Sequence, residues 1–470
     1  MSVPFPHKLV LNRFLLSLFG GHAHELDQDT FREVTCRLTD ESLELREEDG
    51  SFRFCDELSR MLPSSGPLTR EQLLDFDANI ARHTNVVSER RGNRLQWKYF
   101  QYMTLLFAEV YLDWYFRDPE GLLAALNAHL EHFNNALLDF GESKKALISP
   151  YTPESLRKLA LWNATGSGKT LLMHVNMLQF RHYLAKHRRT KDINRVVLLT
   201  PNEGMTRQHL QELALSGIAA APFDKDTTGG SFGLFRAQTV DVIDMNKLRE
   251  EGKKKTVSVD QFETNNLVFI DEAHRGSQGE VWSEMRSRLA QDGFTFEYSA
   301  TLGQAVGSDA ALAGEYSKSI LFDYSYRYFH ADGFGKDYKI LNIEGQENSK
   351  ADTERRRLYL TACLLSYYQQ LRVYEDRHGQ YKAFAVEKPL WVFVGSKVTA
   401  VRTEAKRQVS DVVDILLFLA ELVADKTKTV SHIQKLLSGD TGLLDQQQRD
   451  TFAEAFPYLA QLGLSAQAVF

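Results

Sequence analysis

Leu159-Ala160-Leu161-Trp162-Asn163-Ala164-Thr165-Gly166-Ser167-Gly168-Lys169-Thr170 is the stretch on which the fold turns. Its first part is a short apolar run without polar alternation, the pattern of a strand covered on both faces. A loop with two glycines follows, and helix-forming residues begin near Leu171. Gly166 and Gly168 have no Cβ, so the backbone can bend tightly and approach an anion closely. The N–H groups of the next helix start face the same anion. Strand, loop and helix in this order suit a triphosphate, with Lys169 as counter-charge and the Thr170 hydroxyl as a Mg2+ ligand. Thr165, Gly166, Ser167, Gly168, Lys169 and Thr170 are therefore the candidate nucleotide-binding residues. Asn163 stands where the strict pattern has glycine.

Downstream, further apolar runs alternate with helical stretches. Val196 to Thr200, Val240 to Asp244, Leu267 to Ile270 and Phe294 to Tyr298 read as strands. Strand and helix in alternation imply an α/β fold with a doubly wound parallel sheet. Ligands in such a sheet sit at the carboxyl ends of the strands. Asp271-Glu272-Ala273-His274 falls at one such end, where Asp271 can hold Mg2+ and Glu272 can polarise an attacking water. An acidic helix cap is the plain alternative, and the phosphate loop upstream weighs against it. Ser299-Ala300-Thr301 ends the next run, and the hydroxyls of Ser299 and Thr301 are placed to bond Asp271 or His274 and transmit nucleotide state.

In order and in content, Ala164 to Thr170, Asp271 to His274 and Ser299 to Thr301 resemble motifs I, II and III of DEAH-type superfamily 2 helicases and translocases. Thr200-Pro201-Asn202-Glu203-Gly204 with Gln208-His209-Leu210 is similar to motif Ia of the motor subunit of type III restriction enzymes. Phe322-Asp323-Tyr324 leading to Asp332 to Asp337 has the same flavour, and Trp391 to Lys397 resembles motif IV. The resemblance implies a RecA-like, P-loop NTPase lobe over residues 151 to 337. Residues 1 to 150 read as a mainly helical region by their own pattern, and the resemblance implies a partial second RecA-like lobe over 338 to 470. It places Thr200, Pro201, Asn202 and Gln208, with the Val240 to Leu248 region, along a nucleic-acid track that contacts backbone phosphates. Gln101 becomes a candidate adenine reader, beside the plainer reading of a glutamine at the rim of an aromatic helix. ATP and Mg2+ are the implied cofactors. Double-stranded DNA is the implied partner, with a methyltransferase, specificity or other defence subunit as a second.

The flanks are less informative. Leu95 to Phe116 and Leu122 to Leu138 read as helices, the first aromatic on nearly every side and so sandwiched. Asp40 to Ser65 is turn-rich and has room for a short hairpin. Tyr338 to Ile343 and Leu390 to Val394 read as strands, and Ala351 to Leu371 and Asp411 to Ala424 as helices. Motifs V and VI are not found, and Arg402 and Arg407 lie in the wrong context for an arginine finger. The alternative to a working motor is thus an ATP-binding switch or scaffold that a partner completes. A P-loop kinase or GTPase would leave the later motifs as coincidences.

Asp118 with Glu142-Ser143-Lys144 imitates a metal-nuclease spacing in helical surroundings, and His22 and His24 read as surface loop. The 470 residues carry a formal net charge of −6, so nucleic-acid contact needs a local patch such as Lys186 to Lys191 or Lys253 to Lys255. The three cysteines fit a reducing compartment. No apolar run is long enough for a membrane span and no leader pattern opens the chain, so a cytoplasmic protein is expected.

Overall fold

Seven strands form one parallel sheet: β1 Lys158–Asn163, β2 Arg195–Thr200, β3 Ala220–Pro222, β4 Val240–Asp244, β5 Asn266–Asp271, β6 Phe294–Ser299 and β7 Ile320–Tyr324. Their spatial order is β3-β4-β2-β5-β6-β1-β7. This computed structural model describes residues 3–22, 24–92, 94–223, 238–248, 262–273, 280–307, 309–336, 350–382, 386–394, 402–404, 407–409, 411–445 and 447–470. Every residue of β2, β5, β6 and β7 is buried, as the unbroken apolar runs require. Alternate side chains serve opposite faces: Val196 and Leu198 enter the larger core, Val197 and Leu199 the smaller one. β3 and β7 were not expected. β3 is three residues long and includes Pro222, so it carries almost no pattern.

Pairing aligns the strand ends. Asp271 lies opposite Tyr298, and Trp162 opposite Ser299. The phosphate loop after β1, the acidic pair after β5 and the hydroxyls after β6 therefore share one edge of the sheet.

The chain divides into two compact units, Met1–Lys336 and Asp337–Phe470. The first 150 residues lie in the same unit as the sheet, so position 150 marks no break between compact bodies. The aromatic helix, Tyr99–Arg117, is sandwiched: Phe107 meets Phe322 of β7 at 5.5 Å, and Phe116 meets Phe180 of the helix Lys169–Lys186 at 5.2 Å. A buried carboxylate fastens these helices. Glu109 accepts from Asn79 at 2.8 Å, Gln179 at 2.7 Å and Tyr183 at 2.6 Å. The hairpin allowed for near residue 50 is a single antiparallel bridge, Arg46 to Phe52, leading into the helix Arg53–Met61.

In the second unit, the helices Lys350–Asp376 and Lys426–Leu437 meet around Leu358, Ala362, Leu365, Leu436, Phe452 and Phe456. The expected strand Leu390 to Val394 is not a strand. Residues 386–394 have no regular structure, and Leu390 and Val394 are 82% and 93% exposed. An isolated apolar run has nothing to pair with: the strands among the described residues here are a short antiparallel pair, Arg402–Glu404 with Arg407–Val409. The other expected strand, Tyr338 to Ile343, lies outside the described residues, as do Gly395 to Lys397. No described helix is long and apolar enough to cross a membrane.

Candidate nucleotide-binding site

Gly166 and Gly168 have φ of 88° and 90°, the left-handed region open to glycine at little cost. Gly168 caps the helix Lys169–Lys186, which begins two residues earlier than its sequence suggests. A Cβ on Gly168 would stand 2.5 Å from Gln101 Nε2. Gln101 braces this loop from below. Its Nε2 donates to the Ser167 carbonyl at 2.9 Å and its Oε1 accepts from the Lys98 N–H at 2.9 Å. Both ends of the amide are engaged, so reading a base would require these bonds to open.

Lys169 Nζ lies 3.3 Å from the Asn163 carbonyl and 3.9 Å from Glu272 Oε1. Glu272 has φ of 51°, a conformation costing on the order of 1 kcal/mol for a residue with a side chain. Its N–H donates to Asp271 Oδ1 at 3.0 Å. The other carboxylate oxygen of Asp271 lies 2.9 Å from His209 Nε2, both side chains being buried. Ser299 is buried, and its hydroxyl accepts from the Thr301 N–H at 3.1 Å. His274 lies outside the described residues.

Beside this edge the Ser167 hydroxyl and both ends of the Asn163 amide are buried without a hydrogen-bond partner among the described residues. Leaving such groups unmet costs about 1–3 kcal/mol each. A phosphate chain offers acceptors to the Ser167 hydroxyl and the Asn163 amide, and a counter-charge to Lys169. The donor set therefore fits a Mg2+-bound triphosphate. Gly166 to Thr170 would hold the phosphates, and Thr170 and Asp271 would take the metal.

The motif Ia residues divide. Thr200 is fully buried, bonded to Thr206 Oγ1 at 2.6 Å and to the Ile243 carbonyl at 3.3 Å. Pro201 is buried too, its carbonyl accepting from Asn246 Nδ2 at 3.1 Å. These two therefore set the shape of the loop, and neither side chain is presented to solvent. Asn202, Arg207 and Gln208 are exposed, and Asn202 caps the helix Glu203–Leu215.

Two groups were missed from the sequence. His209 faces inward on that helix, and nothing in its neighbours signals Asp271 as its partner. Glu297, in the middle of β6, accepts from Tyr316 at 2.6 Å and pairs with Lys158 at 2.8 Å and with Arg286. Burial alone would raise Glu297, but Arg286 and Lys158 override it and hold the carboxyl at about 2. Arg286 also donates to the Ala273 carbonyl at 3.3 Å, tying the backbone after the acidic pair to β6.

The lesser candidates have structural employment. Asp118 caps the helix Pro119–Asp139, and Glu142 pairs with Lys8 at 3.1 Å. His22 lies 3.3 Å from Glu33, and His24 touches the rings of His129 and His132. No cluster of metal ligands occurs among the described residues. Lys186 pairs with Asp113 at 2.9 Å, and Lys253 to Lys255 lie outside the described residues.

A parallel sheet with a phosphate loop, an acidic pair and a hydroxyl pair along one edge has the make-up of a RecA-like nucleotide-binding lobe. Residues 123–304 match the family model of the type III restriction enzyme res subunit, a span that takes in all three motifs. No curated protein matches the chain. Among solved structures, the Sulfolobus solfataricus SWI2/SNF2 ATPase core in complex with dsDNA is similar at 14% identity and a TM-score of 0.24. That match covers 37% of this chain and 34% of the other.

Proposed function

We propose that the chain is a Mg2+-dependent, ATP-hydrolysing motor that translocates on nucleic acid, double-stranded DNA first, in restriction or phage defence. The observation that carries it is the convergence at one sheet edge of Lys169, Asp271 and Glu272 with the side chains of Ser167 and Asn163, which have no partner among the described residues. Lys169 neutralises phosphate charge, Asp271 and Thr170 hold the metal, and Glu272 orients and deprotonates the attacking water. When bound, Mg2+ neutralises charge developing on the phosphates. Ser299 and Thr301 link this edge to the next loop. Asn202 and Gln208, with Arg207, form the nucleic-acid side, contacting backbone phosphates. The work is cytoplasmic, alongside a methyltransferase or specificity subunit, a context that rests on the matched family.

A second reading, an ATP-binding switch of low turnover, is favoured by one observation. Among the described residues the second unit has no parallel sheet. ATP hydrolysis with and without double-stranded DNA, measured beside nucleotide binding, separates the two. A motor shows DNA-stimulated turnover that disappears in both Lys169→Ala and Glu272→Gln. A switch binds nucleotide without turnover, and failure to bind ATP sinks both.

A further inference from the structure

Away from the nucleotide edge, the helix Arg70–Glu89 and the turn Asp49-Gly50-Ser51 bound a groove of about 1160 Å3. Three guanidiniums line it: Arg46, Arg82 and Arg94. Among the described residues none of the three pairs with a carboxylate. Arg46 stacks over the Phe52 ring at 4.3 Å and donates through Nη1 to Asn85 at 3.1 Å, while its Nη2 is buried with no acceptor. Arg82 reaches Asn79 and, at 2.9 Å, His182 Nδ1.

Three carboxylates also line the groove. Asp77 accepts from Tyr102 at 2.5 Å and from the Phe52 N–H at 3.1 Å, and Asp49 accepts from Ser51 at 2.6 Å. With Glu89 they make three carboxylates beside three cations, and among the described residues none of them lies within ion-pair distance of a groove guanidinium. Burial and the neighbouring Arg94 both push Arg46 down, against the pull of Asp77. An anion accepting from the unmet Arg46 Nη2 relieves the repulsion between Arg46 and Arg94. The planar guanidinium fork matches phosphate oxygens in pairs.

We infer that this groove binds phosphate esters, presented by the backbone of a nucleic-acid strand. The exposed Leu74 and Val86 on its wall suit the apolar faces of sugar and base. The choice of a strand rests on the motor reading, while the anion site stands without it. The N-terminal helices then grip the track and do not merely cover the sheet.

The test uses the full chain carrying Lys169→Ala, without nucleotide, so that the phosphate loop does not contribute. Binding of a fluorescein-labelled oligothymidylate is titrated over a salt series in Arg46→Gln, Arg94→Gln and the double variant. Arg117→Gln serves as a control, and thermal melts check folding. The slope of log affinity against log salt should fall by ~0.7 for each phosphate no longer neutralised, about 1.4 in the double variant. If instead the strand binds unchanged but stabilisation by inorganic pyrophosphate disappears in the double variant, the phosphate source is a free anion and the strand is ruled out. Unchanged binding of both probes overturns the site. Arg94 is exposed, so its variant keeps the test alive if Arg46→Gln does not fold. ATP turnover of the otherwise wild-type chain is assayed separately, so failure of the motor reading is distinguishable.

Discussion

His209 Nε2 lies 2.9 Å from Asp271 Oδ2, and the two residues are 3% and 5% exposed. The bond joins the helix that carries Gln208 to the carboxylate proposed to hold Mg2+. Partners of this kind fix the orientation of a metal ligand, and removing one typically weakens metal affinity 10- to 100-fold. For His209→Ala the Mg2+ concentration at half-maximal ATP hydrolysis should rise by about 10-fold or more. His209→Gln should recover part of that. An unchanged Mg2+ dependence would reduce the bond to packing.

Gly168→Ala should lower both stability and ATP affinity. The φ of 90° costs a side-chain-bearing residue roughly 1–2 kcal/mol, and the clash with Gln101 Nε2 adds to it. In denaturant titrations, combining it with Gln101→Ala should restore the steric part and leave the backbone part. Strict additivity of the two substitutions would show that Gln101 does not press on the loop.

Glu297→Gln should be among the most damaging single changes in the lobe. It leaves the largely covered Arg286 without its countercharge and Lys158 with Glu315 alone, and breaking a buried pair typically costs about 3–5 kcal/mol. The midpoint of urea unfolding reads this directly. A loss under about 1 kcal/mol would mean that water reaches the network and screens it.

Glu109 makes stability depend on pH. Burial raises its carboxyl to about 7, against its hydrogen bonds to Tyr183, Asn79 and Gln179. A carboxyl raised in the folded state contributes stability that is complete below its unfolded value of 4.5 and is lost as pH rises through about 7. Melting of the native chain against Glu109→Gln should show the native chain losing ground between pH 5 and about pH 8. A difference that stays flat with pH would show that Glu109 is ionised throughout.

The sheet and its loaded edge were legible because their signals are local. A strand covered on both faces is an unbroken apolar run, and a phosphate loop needs its glycines, lysine and hydroxyl within a few residues. β3 and β7 left weaker traces, since β3 is held by β4 and hardly by its own composition. Partnerships across the fold were not legible. His209 with Asp271 and Arg286 with Glu297 join residues whose types are ordinary and whose meeting is decided by strand order. The Leu390 to Val394 run shows the opposite failure: a strand-like composition with no described neighbour to pair with.

The shared core of the first unit bears on where this lobe can be cut. Phe107, Phe116 and Glu109 come from before position 150, and Phe322, Phe180 and Gln179 from after it. A chain begun at 151 would keep the three motifs of the sheet edge and bare to water the surfaces of Phe180 and Phe322 that the N-terminal helices cover. The transplantable piece is therefore the body Met1–Lys336, motifs and helical backing together.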